Sequence, residues 1–304
     1  MEKSKLVEDA DLGSETIIGS PLLLIAAAAV LFSTGGLFIK LSSLSAFELA
    51  CGRSLLAAAT VAFFTRREGF GINPVTAISA VIYAAVLLLF VMATKLTTAA
   101  NAIFLQYTAP IYILLLEPLL YRERFRVRDL GVVACCVAGM SFFFVGELRP
   151  QDVNGNLAAL GSGFGFALFM LLLKHPRSRR VNRASSVIYG NLLLALVTAP
   201  AFVAGGIDNL TWQNVCAVLF LGIFQVGVAY VLFTLGIARG SRAVDAGIVA
   251  YLEPVLNPLW VFIFLGERPS QWAIAGGAII ISAVITHTIW SAHKVRLSRG
   301  NARA

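Results

Sequence analysis

AYLEPVLNPLWVFIFLGERPS occupies residues 250–270, and a shift of 144 residues lays an earlier stretch, LQYTAP at 105–110 running on to YRER at 121–124, onto the same pattern. Tyr107 falls on Tyr251, Pro110 on Pro254, Asn101-Ala102 on Asp245-Ala246 and Glu123-Arg124 on Glu267-Arg268, with no gap. Each copy is a continuous apolar run of the length that crosses about 30 Å of hydrocarbon as a helix. Each carries a proline in its interior, which removes one backbone hydrogen bond. The pattern predicts membrane helices written twice, and it extends outward in both directions.

Upstream of the first copy, a shift of 138 lays Ala46, Gly52, Leu55, Leu56, Ala57, Thr60 and Phe64 on Ala184, Gly190, Leu193, Leu194, Ala195, Thr198 and Phe202. Further upstream, a shift of 134 lays Phe32, Leu37 and Lys40 on Phe166, Leu171 and Lys174. Any two apolar helices match somewhere by chance. Three alignments arriving in order, with offsets that drift as short loop insertions would make them, predict an internal repeat.

Composition agrees. The 304 residues are 58% hydrophobic and 13% charged, against roughly 25% charged in soluble globular proteins, so charged surface is too scarce to cover a water-soluble globule of this size. Ten apolar spans are predicted at 21–41, 46–64, 75–94, 99–121, 129–146, 155–173, 184–204, 213–236, 243–265 and 271–292. They are helices rather than barrel strands because the runs are continuously apolar, where a barrel strand alternates over about ten residues. Pro21, Pro74 and Pro269-Ser270 punctuate span ends, and Trp212, Trp272 and Trp290 sit where interfacial anchors belong.

The net charge of +8 is topological and calls for no nucleic-acid partner. Of 24 Lys and Arg, 19 fall on one side of the ten spans: the 1–20 tail, Arg66-Arg67, Arg122–Arg128, Lys174–Arg183, Arg239 with Arg242, and the basic 293–304 tail. Lys40, Lys95, Arg149 and Arg268 fall on the other, and Arg53 is left deep inside a span. The positive-inside rule then places both termini in the cytoplasm of a bacterial inner-membrane protein. Residues 1–20 have no apolar core and read as a polar tail rather than a signal peptide. Cys51, Cys135, Cys136 and Cys216 lie in apolar runs without metal-site spacing.

The repeat divides the chain into five spans at 21–148 and five at 149–292. Five is odd, so the second copy enters the membrane from the opposite face. Inverted repeats supply the two conformations of many secondary transporters. The predicted fold is therefore an all-α membrane protein, two inverted five-helix repeats around a central cavity. A structural or anchoring membrane protein needs no such symmetry.

LQYTAP, YRER and AYLEPVLNPLWVFIFLGERPS together resemble the two copies of the repeat in bacterial drug/metabolite transporters of the EamA type, over essentially the whole chain from Pro21 to Trp290. The resemblance implies a ten-helix bundle whose cavity is lined mainly by the first four helices of each half, with the fifth and tenth peripheral. It also implies export of amino acids or related metabolites. One departure is Phe125 after Glu123-Arg124, where the second copy has Pro269.

Polar residues inside spans are the candidate site. Glu253 lies mid-span directly before Pro254, whose ring frees the carbonyl of Ala250. It can bind a substrate ammonium or a proton, or serve as an ion-pair partner. Arg53, also near mid-depth, can pair with Glu253 or receive a substrate carboxylate. Thr108 and Tyr112 lie within about 20° of Asn101 on a helical wheel, a strip expected to face a cavity. Gln106, Tyr83, Gln225, Tyr230 and Tyr251 complete the set, the tyrosines as aromatic walls for an apolar or cationic ligand, while Gln106 and Tyr107, on other faces of their helix, are expected at helix contacts or the cavity edge. Pro110 and Pro254 are expected to act as gates, one in each half.

No His-Glu-x-x-His, paired-Asp or Gly-x-x-x-x-Gly-Lys pattern is present, so the sequence supports no enzyme, metal, cofactor or ATP-driven pump. Phosphorylated substrates would need several deep cations, and only Arg53 qualifies. The leading expectation is an exporter of small zwitterionic metabolites, amino acids with aromatic or other hydrophobic side chains foremost, working by alternating access. The alternative is a proton-coupled exporter of cationic aromatic drugs.

Overall fold

In the computed structural model the chain is described over residues 21–121, 131, 134–135, 137–139, 142, 150–182, 184–239, 249–250, 252–283 and 285–286. Among these residues there is no strand, and seven helices are long and apolar enough to cross a membrane. They are α1 (Pro21–Leu41), α2 (Ala46–Glu68), α3 (Pro74–Leu96), α4 (Ala99–Tyr121), α5 (Asp152–Leu173), α6 (Ala184–Gly205) and α7 (Trp212–Ile237). Two shorter apolar helices follow, α8 (Leu252–Leu265) and α9 (Gln271–Ala283). The predicted span at 129–146 lies outside the described residues apart from isolated positions, as do both tails and the outer parts of the last two spans.

Local chemistry sets the helix starts. Ser45 and Glu48 form a reciprocal capping box at the start of α2, which fixes the turn from α1. Asn73 accepts from the backbone of Val75 and Thr76, both at 3.0 Å, with Pro74 in the first turn of α3. Thr98 and Thr211 cap α4 and α7 in the same way. The outer faces carry large exposed apolar side chains, Phe63, Leu196, Val197 and Phe264 among them. That is a belt suited to lipid, far beyond the scattered apolar surface of a soluble protein. This is a multi-pass membrane protein.

The helices of the two halves interleave. Across the divide α1 packs on α7 and α8, α2 on α6 and α7, α3 on α5 and α6, and α4 on α5 and α8. If α1 to α4 are exchanged with α5 to α8, every one of these pairings maps onto another in the set, the pattern a two-fold relation produces.

Besides the end turns of α2 and α6, three helices depart from regular winding in their interiors, in two cases where the apolar run predicts an unbroken span. α1 is interrupted at Thr34, between Pro21–Ser33 and Gly35–Leu41. α4 is interrupted at Tyr107 and Thr108, one turn before Pro110, whose missing N–H leaves the carbonyl of Gln106 without its helical donor. α7 widens into a π-helix over Phe220–Val228. Such widening in a helix often marks a functional site.

Candidate functional site

The first group joins the fourth helices of the two halves. Tyr107 Oη donates at the break in α4 and lies 2.8 Å from Glu253 Oε2 and 3.1 Å from the carbonyl oxygen of Ala250. Ala250 is the residue whose carbonyl Pro254 leaves without a helical donor. The tyrosine of one break therefore reaches the carbonyl freed by the proline of the other, and holds Glu253 beside it.

Arg53 forms the second group. It is 1% exposed, the bulkiest fully buried side chain described, and its Nε has no hydrogen-bond partner. No carboxylate pairs with it, since the one salt bridge among the described residues joins Lys40 to Glu267. The expected alternative of an Arg53–Glu253 ion pair is not what the structure contains, because Glu253 is engaged by Tyr107. Arg53 is instead close enough to Tyr83 to interact with it electrostatically, and Asn191 of α6 stands against Tyr83. Close helix crossings hold them there. A side chain at Gly222 of α7 would strike the backbone of Arg53, and one at Gly190 of α6 would strike Tyr83 and the carbonyl of Ala80. An unpaired buried cation is costly, so its retention needs a reason.

The break in α1 collects amides. Gln225, in the π-helical stretch of α7, donates its Nε2 to the carbonyl of Phe32 at 3.2 Å, while its Oε1 has no partner. Asn257, one turn beyond Glu253 on α8, is 1% exposed with neither Nδ2 nor Oδ1 bonded. Each buried amide atom left without a partner costs about 1–3 kcal/mol. Both side chains fit because Gly35 and Gly36 have none. A Cβ on Gly35 would lie 2.8 Å from Gln225 Nε2, and one on Gly36 would lie 2.2 Å from Asn257 Oδ1. Trp260 Nε1 closes the cluster, donating to Ser33 Oγ at 2.9 Å.

The Asn101, Thr108 and Tyr112 strip is used differently along its length. Asn101 donates to Thr97 Oγ1 and Asn156 Oδ1, both at 3.2 Å. Thr108 is fully buried and returns its hydroxyl to the carbonyl of Leu105 at 2.6 Å. Tyr112 meets Phe164 edge to face with centroids 5.4 Å apart. Gln106 donates to Ser162 Oγ at 2.8 Å, where α5 offers Gly163 to the carbonyls of Leu105 and Gln106. These four are contacts between α4 and α5 or along α4 itself, not one wall. Tyr83 stacks obliquely on Phe169 at 4.8 Å, and Tyr230 packs in the same apolar cluster. Tyr251 lies outside the described residues, and of Pro110 only the backbone is described.

One end of the bundle is tied shut by paired groups. Lys40 Nζ reaches Glu267 Oε2 at 2.7 Å and the carbonyl of Thr97 at 2.8 Å. Glu267 Oε1 accepts the backbone N–H of Ala99 at 2.7 Å, at the positive end of α4. Lys95 donates to the carbonyl of Ser42. Asn214 accepts from Ser42 Oγ and the backbone N–H of Ser43 and donates to Ser43 Oγ. These are the residues expected on the non-cytoplasmic side.

A model of the EamA-like transporter family matches residues 19–145 and, a second time, 153–288. The chain belongs to that family. The uncharacterized transporter YwfM of Bacillus subtilis is 29% identical over 276 residues, covering 86% of this chain and 93% of the relative. The aromatic amino acid exporter YddG of Ancylobacter novellus is 25% identical over 205 residues, covering 65% and 69%. The pseudopaline exporter CntI of Pseudomonas aeruginosa is 23% identical over 280 residues, covering 88% and 96%. In fold, a solved crystal structure that covers 90% of this chain, and is itself covered to 98%, matches with a TM-score of 0.63 at 21% identity.

Of the residues that these groups bring together in this EamA-like transporter, Arg53, Tyr83, Gln225 and Glu253 are candidates from the sequence, whereas Tyr107 was placed only at the edge and Asn257, Asn191 and the Gly35-Gly36 break were passed over. Asn257 carried a usable signal, an amide four residues after Glu253 and so on the same helix face. The π-helical stretch of α7 carries no comparable signal.

Proposed function

We propose that the protein is a secondary transporter that exports small zwitterionic metabolites across the bacterial inner membrane. Amino acids with aromatic or other hydrophobic side chains are its leading substrates. In this reading the chain has ten spans in two inverted five-helix repeats at 21–148 and 149–292, with both termini cytoplasmic. The observation that carries it is that Arg53 and Glu253, a cation and a carboxylate deep in the bundle, are not spent on each other. An amino acid supplies the missing partners, its carboxylate for Arg53 and its ammonium for Glu253. Tyr83 and Phe169 offer aromatic surface beside Arg53 for its side chain. The relatives YddG, an aromatic amino acid exporter, and CntI, a pseudopaline exporter, point the same way.

Alternating access would then use the two proline breaks. Pro110 and Pro254 occupy matching positions in oppositely directed helices, so movement at one opens one side and movement at the other opens the opposite side. Lys40, Glu267 and the start of α4 form the outer closure. The second reading, proton-coupled export of cationic aromatic compounds, draws on the buried Glu253 carboxyl. An unpaired Arg53 argues against it, because a cation would repel a cationic ligand.

Counterflow in proteoliposomes, with a panel of amino acids and quaternary aromatic amines, tests the proposal. Aromatic amino acids should exchange and quaternary amines should not. Exchange of the amines alone would reject it.

A further inference from the structure

We infer that Asn257 and Gln225, packed against the adjacent glycines at the break in α1, belong with Glu253 to a substrate subsite that recognises a primary ammonium group, and that the transporter thereby excludes N-methylated ligands. This rests on the proposed transport of a zwitterion and names what that zwitterion must carry.

The chemistry is one of unused acceptors. Asn257 Oδ1 and Gln225 Oε1 are buried and bonded to nothing, and Glu253 presents a carboxylate one helical turn before Asn257. Tyr107 donates to the Oε2 oxygen of Glu253, and among the described residues no hydrogen bond to its Oε1 is found. A primary ammonium has three N–H donors, one for each acceptor of the proposed subsite. The same group of atoms suits a metal ion poorly. Three carbonyls at the break are already taken: Val30 by Ser33 Oγ, Leu31 by the amide and hydroxyl of Thr34, and Phe32 by Gln225. Too few free oxygens remain for the six or so that a hard cation collects. Nor is the arrangement an accident of loose packing, since Gly35 and Gly36 make the space into which the two amides fit. Asn257 Nδ2 is the one donor left over, and it lies on the side chain able to reach an atom next to the ammonium, such as a carboxylate oxygen.

Each methyl added to the ammonium removes a donor and leaves a buried acceptor unpaired, so trimethylation removes all three bonds at once. That penalty is the kind that discriminates sharply, because a site built to hydrogen-bond a group rejects the analogue that lacks it.

The test uses the full chain in proteoliposomes loaded with phenylalanine. Four competitors are compared: phenylalanine, its N,N,N-trimethyl betaine, phenethylamine and trimethylphenethylammonium. Trimethylation should weaken competition about a hundredfold in both the acid and the amine series. Asn257→Leu should abolish that discrimination while keeping the unfolding temperature at or above that of the wild type, because it replaces two unpaired polar atoms by apolar ones. Asn257→Asp should restore preference for the primary amine.

The two series separate the claims. If the methylated and unmethylated members compete equally, the ammonium subsite is wrong and zwitterion export stands. If phenethylamine competes as well as phenylalanine while both trimethyl compounds fail, the subsite stands and the need for a carboxylate falls. Full discrimination retained in a folded Asn257→Leu protein overturns the subsite, and no exchange of any of the four overturns both.

Discussion

At the end of the bundle where α1 gives way to α2, Lys40, Lys95, Thr97, Asn156, Asn214 and Glu267 all have partners. Inside α2, α7 and α8, by contrast, Arg53, Gln225 and Asn257 keep buried atoms that have none. Folding alone explains the first set, since each bond ties the end of one helix to another or closes a turn. It does not explain the second, since an apolar residue of similar shape would pack there without an unpaired polar atom. The contrast separates side chains that hold the bundle together from side chains kept for a molecule that comes and goes.

The strongest way to break this comparison is Arg53→Met. If Arg53 is held for a substrate carboxylate, the variant should lose exchange of zwitterions by about a hundredfold, the value of a charge-assisted hydrogen bond pair. Its unfolding temperature should not fall, because no partner is orphaned. Counterflow together with thermal unfolding in detergent reads both. An unstable but active variant would move Arg53 into the first set.

Glu253→Gln comes next. The amide can still accept the Tyr107 hydroxyl through its own Oε1, and Arg53 does not depend on Glu253, so the protein should remain folded without a compensating change at Arg53. Exchange should drop about tenfold or more as the substrate ammonium loses a charged partner, and any dependence of rate on pH should vanish. A folded, fully active variant would exclude Glu253 from the site.

How far the sequence foretold this contrast depended on the kind of signal each residue leaves. The described spans were legible because a continuous apolar run has one plausible fate in a bilayer, and the start of α3 because Pro74 suits a first helical turn, whereas the caps at Ser45, Asn73 and Thr98 were not read. The carbonyl freed by Pro254 was foreseeable from the proline itself, whereas its acceptance of the Tyr107 hydroxyl needed the packing of α4 on α8. Charged residues stood out in the apolar runs, so Arg53 and Glu253 were found. Whether they met each other was a matter of three-dimensional placement that spacing does not encode. Asn257 was overlooked because a neutral amide stands out less than a charge, and the breaks at Thr34 and in α7 because glycines and apolar residues inside a span read equally well as regular helix.

Pro254→Ala should have a smaller effect, a slowing of exchange of several-fold with little change in binding. The new N–H competes with Tyr107 for the carbonyl of Ala250 and stiffens the break. Tyr107→Phe provides the control, since it removes the cross-helix bond without repairing the helix. If the proline break is a gate, Pro254→Ala alone should slow exchange by stiffening, and Tyr107→Phe should not reproduce that pattern. Unchanged rates in Pro254→Ala and Pro110→Ala would remove both prolines from the gating scheme.

The smallest effect is expected at the paired end, and it tests whether pairing there is only structural. Lys40 and Glu267 are partly exposed, 20% and 24%, and such pairs are typically worth about 0.2–1 kcal/mol. A double-mutant cycle of Lys40→Met and Glu267→Gln should return a coupling energy in that range from thermal unfolding. The same pair nevertheless bridges α1 to the start of α4, and Glu267 also accepts from Ala99. A shift of that size in a two-state equilibrium changes the balance between closed and open ends by up to about fivefold. A cysteine placed at Thr97 should therefore become more reactive to a membrane-impermeant thiol reagent applied from outside when either partner is removed, while affinity for substrate stays the same. If reactivity does not change although the coupling energy is measurable, the bond is glue and the outer closure lies elsewhere. If both change together, a paired group at the end of the bundle acts on the unpaired ones in its middle by setting how often a substrate can reach them.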